Sequence, residues 1–62
     1  MKTTYGAYVA NDQGASESIT SGQTSIRACE EYARRNYGKG WTVHIVREEP
    51  DAREVKVFRL TK

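Results

Sequence analysis

The sequence predicts an α+β fold: a single β-β-α-β-β module with a mostly antiparallel sheet and one helix packed on one face. Three observations carry that prediction. Ile26, Cys29, Ala33 and Tyr37 recur at helical spacing within an otherwise charged stretch. On either side lie short segments rich in β-branched and aromatic residues, bounded by turn-forming clusters. Consecutive short strands pair antiparallel through tight turns, and a helix with one apolar stripe must bury it against the sheet they form.

The first strand is read at Tyr5-Gly6-Ala7-Tyr8-Val9-Ala10, and it stops at Asn11-Asp12-Gln13-Gly14, whose residues favour turns. Ala15 to Thr20 can return as a second strand, with Ala15, Glu17 and Ile19 on one side. The alternative is a polar loop from Asn11 to Gln23, which leaves β-α-β-β and is long for a domain of this size. Thr24 or Ser25 can cap the helix that follows, over Ile26 to Tyr37. Opposite its apolar stripe lie Arg27, Glu31, Arg34 and Arg35. Glu30 with Arg34, and Glu31 with Arg35, stand in the favourable order for pairs one turn apart, each worth roughly 0.2–0.5 kcal/mol. Gly38 is expected to end the helix in the left-handed conformation.

Trp41-Thr42-Val43-His44-Ile45-Val46 alternates as a strand should, and Glu48-Glu49-Pro50-Asp51-Ala52 reads as a turn in which proline pre-sets the backbone. The last strand, Glu54 to Leu60, has a divided pattern. Val55 and Val57 share one face, while Phe58 and Leu60 share the other. A one-residue change of register exchanges the two faces, and a bulge near Val57 would let both apolar pairs point inward. No repeat, low-complexity tract or linker interrupts residues 1–62, so they are read as one domain.

A chain of 62 residues has room for a single hydrophobic core, since a domain of this size buries only about 60% of the surface its unfolded chain exposes. Its 37% apolar and 29% charged content suits a folded globule better than a disordered tail. The lone Cys29 excludes an internal disulfide and fits a reducing compartment. Met1-Lys2-Thr3-Thr4-Tyr5 carries no signal-peptide stretch and no segment reaches the ~20 apolar residues of a membrane span, so a cytoplasmic chain is expected. A net charge of +2 and a pI near 8.9 are mildly basic, short of the balance of a dedicated nucleic-acid binder.

No self-sufficient catalytic constellation is expected. Cys29 falls in phase with Ile26 and Ala33, where a buried cysteine behaves as a small hydrophobe, and His44 is the only histidine. One of each supplies neither an activated nucleophile nor a zinc set, so no metal and no cofactor is expected. Glu30-Glu31 and Glu48-Glu49 are sequence neighbours that do not converge on one substrate atom, and Gly38-Lys39-Gly40 lacks the phosphate-cradling pattern of a nucleotide loop.

Surface residues remain as candidates for binding a partner. Arg34, Arg35 and Lys39 gather at the helix C-terminus, where cations also complement the helix dipole. The open sheet face is expected to carry Tyr8, Thr42, His44 and Val46, joined in one register by Lys56 and Phe58. A basic and aromatic sheet face can stack unpaired bases or seat a protein; a homodimer contact is the other use.

The passage Ser25-Ile26-Arg27-Ala28-Cys29-Glu30-Glu31-Tyr32-Ala33-Arg34-Arg35, followed by Gly40-Trp41-Thr42-Val43-His44-Ile45, together with the size and element order, resembles the compact phage-encoded anti-CRISPR inhibitors. That resemblance is of a generic kind and carries over no site residue. It implies a non-catalytic protein that docks on a bacterial CRISPR effector complex in the host cytoplasm and blocks DNA access or nuclease recruitment. Two other readings follow from the residues: a small nucleic-acid-binding or regulatory protein using the basic helix end and the sheet face, and an accessory module that dimerises.

Overall fold

The computed structural model describes residues 3–48 and 51–61. Along the chain lie β1 (Tyr5–Asn11), β2 (Ser16–Gln23), α1 (Ile26–Asn36), β3 (Trp41–Arg47) and β4 (Arg53–Arg59). The strands form one sheet in the spatial order β2-β1-β3-β4, every neighbour antiparallel. β2 and β3 therefore run parallel with β1 between them, and α1 makes the crossover that a parallel relation requires.

Asn11 decides between the strand and the loop for residues 15–20. Its side-chain Oδ1 accepts hydrogen bonds from the amides of Gln13 (2.9 Å) and Ala15 (3.0 Å), and Gly14 takes the left-handed φ of 87°. The chain reverses at once, and β2 forms and runs on to Gln23. Glu17 and Ile19 lie on its helix side, Glu17 opposite buried Val9.

Ser25, rather than Thr24, caps α1: its Oγ accepts from the Ala28 amide at 3.1 Å. The C-terminal end departs from expectation. Tyr37 leaves the helix in an extended conformation, φ −134°, while its amide still donates to the Ala33 carbonyl at 2.8 Å. Gly38 is not left-handed; that conformation falls to Gly40, φ 99°, at the entry to β3. The tyrosine ring accounts for the difference, because it is held against the core, edge-on to Trp41 at 5.2 Å, and its hydroxyl donates to Glu17 of β2. Among the helix charges Glu30 pairs with Arg34 (3.7 Å), but Glu31 pairs back to Arg27 (3.2 Å) and not forward to Arg35.

The core is made by Ala7 and Val9 of β1, Val43 and Ile45 of β3, Cys29 and Ala33 of α1, and Leu60, with Tyr5, Ile19, Ile26, Tyr37, Trp41 and Phe58 packed around them. β3 alternates between this side and the open one, and β1 does so except at Gly6, which is buried beside Ala7 where Glu48 crosses it.

β4 settles its divided pattern by pairing Phe58 with Val43 and Val57 with His44. The register then slips, Ile45 facing Lys56 and Val46 facing Glu54, so Val55 is the extra residue. The bulge thus sits at Val55 and not near Val57, and it brings neither valine inward: Val55 and Val57 stay 38% and 47% exposed while Leu60 is 5% exposed. Lys56 and Phe58 consequently lie on the helix side, which corrects the register that would have shown them on the open face. Glu49 and Pro50 of the expected turn lie outside the described residues; beside them the Glu48 amide donates to the Thr4 carbonyl at 2.8 Å.

Candidate functional site: a basic aromatic cleft

α1 packs on β2, β1 and β3 and makes no backbone approach to β4. Long side chains alone reach across. Lys56 Nζ lies 2.8 Å from Glu30 Oε2, and the Arg34 guanidinium carbon sits 5.2 Å from the centroid of the Phe58 ring, with Lys56 Nζ 5.5 Å from the same ring. Beneath them a cleft of about 480 Å³ is lined by Arg34, Tyr37, Phe58, Arg59, Leu60 and Thr61.

Its chemistry follows from its parts. The face of the Phe58 ring attracts cations through its quadrupole, and the two cations near it also share one carboxylate. Glu30, with its side chain 15% exposed, is the carboxylate that Arg34 and Lys56 share. Arg59, on the outer side of β4, is 3.0 Å from Asp12. Arg34 and Lys56 face Glu30, Arg59 faces Asp12, and Glu17 lies on the Tyr37 hydroxyl, so each cation around the cleft is already paired with a carboxylate.

Of the residues singled out from sequence, the cleft unites Arg34 and Phe58, and Lys56 joins them beside it through the Phe58 ring and the Glu30 carboxylate. Arg35 and Lys39 stand apart from it, Arg35 exposed on the outer face of α1 and Lys39 beside the Asn11–Gln13 turn; neither makes an ion pair among the described residues. Tyr8 and His44 are on the opposite side of the sheet, where their rings stack in parallel, 4.6 Å apart, and His44 Nδ1 lies 3.0 Å from Glu54 Oε2. Thr42 and Val46 share that open face. Tyr8 also walls a shallow 390 Å³ depression with Gly6, Ser18, Thr20, Val46 and Glu48.

Sequence reasoning missed Glu30, Tyr37 and Arg59 as parts of one place. Glu30 was legible only as a helix pair, and its second partner, Lys56, is 26 residues away. Nothing local signals a contact of that span.

The sheet lies between Cys29 and His44, so the two cannot form a nucleophile–base pair. Cys29 is fully buried, and burial, reinforced by the nearby carboxylates of Glu48 and Glu30, pushes its thiol above the ordinary range. A thiol so placed stays protonated and is a poor nucleophile. Among the described residues no group of three or more His, Cys, Asp or Glu is placed to hold a metal ion, and no helix is long and apolar enough to cross a membrane. No family model, curated protein or solved structure matches the chain.

Proposed function

We propose that this protein is a non-catalytic binding module that docks an acidic surface of a protein or nucleoprotein complex into the cleft between α1 and β4. One observation carries the reading: α1 leaves the inner face of β4 uncovered, and the space is floored by Phe58 and rimmed by Arg34 and Arg59, with Lys56 Nζ 5.5 Å from the centroid of the same ring. In the setting that the resemblance to anti-CRISPR inhibitors implies, the partner is a CRISPR effector complex, and an occupied cleft obstructs its DNA binding or its recruitment of a nuclease.

Mixing the chain with purified effector complexes and separating free from bound protein tests this. A stoichiometric complex is expected, weakened by the double substitution Arg34→Gln with Lys56→Gln and unchanged by Val57→Ala on the far face. No complex with any effector type removes the effector as partner, and equal loss by Val57→Ala moves the docking face away from the cleft.

A second reading rests on the cations beside the Phe58 ring, an arrangement that also suits a base stacked on the ring with its phosphates on Arg34 and Lys56. It requires binding to single-stranded probes that weakens steeply with salt, because phosphate contacts release counterions. Binding that is absent, or insensitive to salt, rules it out.

A further inference from the structure

The side of the sheet away from the helix carries a second place with its own chemistry. Glu48 leaves the end of β3 and crosses β1 above Gly6, where a Cβ would lie 2.7 Å from Glu48 Oε2. Its Oε1 accepts the Gly22 amide of β2 at 2.8 Å, which fixes the carboxylate across the strand. Oε2 lies over Gly6 at the floor of the 390 Å³ depression, and no cation among the described residues pairs with Glu48.

The walls are of matching character. Tyr8, two residues along β1, stacks one face of its ring on His44, its neighbour on β3. Its neighbour on β2 is Ser18, too small to cover the other face. Ser18 and Ser21 add hydroxyls along the outer side. The other charge in the lining is Glu17, whose carboxylate takes the Tyr37 hydroxyl. Just beyond it His44 and Glu54 are closed on each other at 3.0 Å. The lining thus holds two carboxylates and no cation.

The face of an aromatic ring attracts cations within about 6 Å of its centroid, and carboxylate and hydroxyl oxygens accept N–H groups. All three kinds of group favour the same guest. Two residues along a strand separate Gly6 from Tyr8 by about 7 Å, so one cation fits between the ring and Glu48 Oε2 with about 3 Å to that oxygen. The Gly22 amide decides which cation. A guanidinium binds a carboxylate best through two parallel N–H bonds, and here one oxygen is already engaged. An ammonium asks only for single oxygens, and its three donors can be divided between Glu48 and the hydroxyls.

We propose that this depression binds an alkyl ammonium group, its charge held between Glu48 Oε2 and the open face of the Tyr8 ring. The site is on the opposite side of the sheet from the docking cleft and does not depend on it. A free amine and a lysine side chain of another protein share this chemistry, and the test separates them.

The full chain is titrated with n-butylammonium, n-butylguanidinium and n-butanol at pH 7 and followed by amide NMR. Butylammonium is expected to shift the Gly6, Tyr8 and Gly22 amides, with half-saturation in the millimolar range that suits so few atoms. Butylguanidinium should bind severalfold more weakly, and butanol should leave these amides unshifted. Glu48→Gln keeps an acceptor for the Gly22 amide and should lower affinity about tenfold; Tyr8→Leu should lower it about threefold. A dispersed spectrum shows that each variant is folded, and the three probes on the unsubstituted chain decide the matter if one is not. An end-blocked alanine and glycine peptide with one lysine then identifies the source: tighter binding than butylammonium assigns the site to a protein side chain, and equal or weaker binding assigns it to a free amine. Equal binding of butanol, or undiminished binding by Glu48→Gln, overturns the site. Equal binding of butylguanidinium overturns its selection of ammonium. Absence of shifts at these amides with butylammonium at about 100 mM overturns it outright.

Discussion

Phe58 of β4 stands directly opposite Val43 of β3 on the helix side of the sheet, so a half-covered aromatic ring borders a fully buried valine. The same pairing sends Val57 to the far face opposite His44. Truncating the two neighbours should therefore have unequal effects. Phe58→Ala is expected to cost about 2–3 kcal/mol, below the full range for a buried ring, and Val57→Ala less than about 1 kcal/mol. Urea unfolding midpoints at unchanged m-value measure both; equal losses would mean that β4 pairs in the other register.

Gly6 is the point where Glu48 crosses β1. A Cβ at Gly6 would lie 2.7 Å from Glu48 Oε2 and 3.2 Å from the Thr20 carbonyl, while Glu48 Oε1 accepts from the Gly22 amide at 2.8 Å. Gly6→Ala should destabilise by about 1–2 kcal/mol through overpacking and the lost Glu48–Gly22 bond. In a Glu48→Ala background the side-chain clash is gone, and the same substitution should cost at least about 0.5 kcal/mol less. Strict additivity in that double-mutant cycle would refute the crossing.

The raised titration of Cys29 has a definite sign. The folded thiol keeps its proton at pH values where the unfolded one has lost it, so its contribution is complete below about pH 8.5 and declines as the pH rises beyond it. Cys29→Ala should flatten the alkaline limb of the stability profile. In the native protein at pH 8 a thiol reagent should react far more slowly than with free cysteine, and reaction at the free-thiol rate would contradict the burial.

Ser25 holds the first turn of α1 through the Ala28 amide. Ser25→Ala should cost about 1 kcal/mol, and Ser25→Asp should restore most of it. Thr24→Ala, one residue earlier, should be nearly neutral. Thermal unfolding of the three variants by circular dichroism distinguishes them, and a larger loss at Thr24 would displace the cap.

What the sequence determined by itself was whatever is decided within a few residues. The apolar period of Ile26, Cys29, Ala33 and Tyr37 specified α1 and its buried stripe, Ser25 supplied a cap, and Asn11 to Gly14 supplied a turn. The alternation of Trp41 to Val46 made a strand with a defined inner face. Tertiary structure decided the rest, since it depends on partners far along the chain. The two faces of β4 were equally apolar on paper, and only pairing Phe58 with Val43 beside the core chose between them. The end of α1 followed Tyr37, whose ring and hydroxyl are held by Trp41 and Glu17, and the glycine one residue later did not set it. Burial of apolar surface and cross-strand pairing are non-local quantities. For that reason the cleft that joins Arg34, Tyr37 and Phe58 was present in the sequence only as scattered residues.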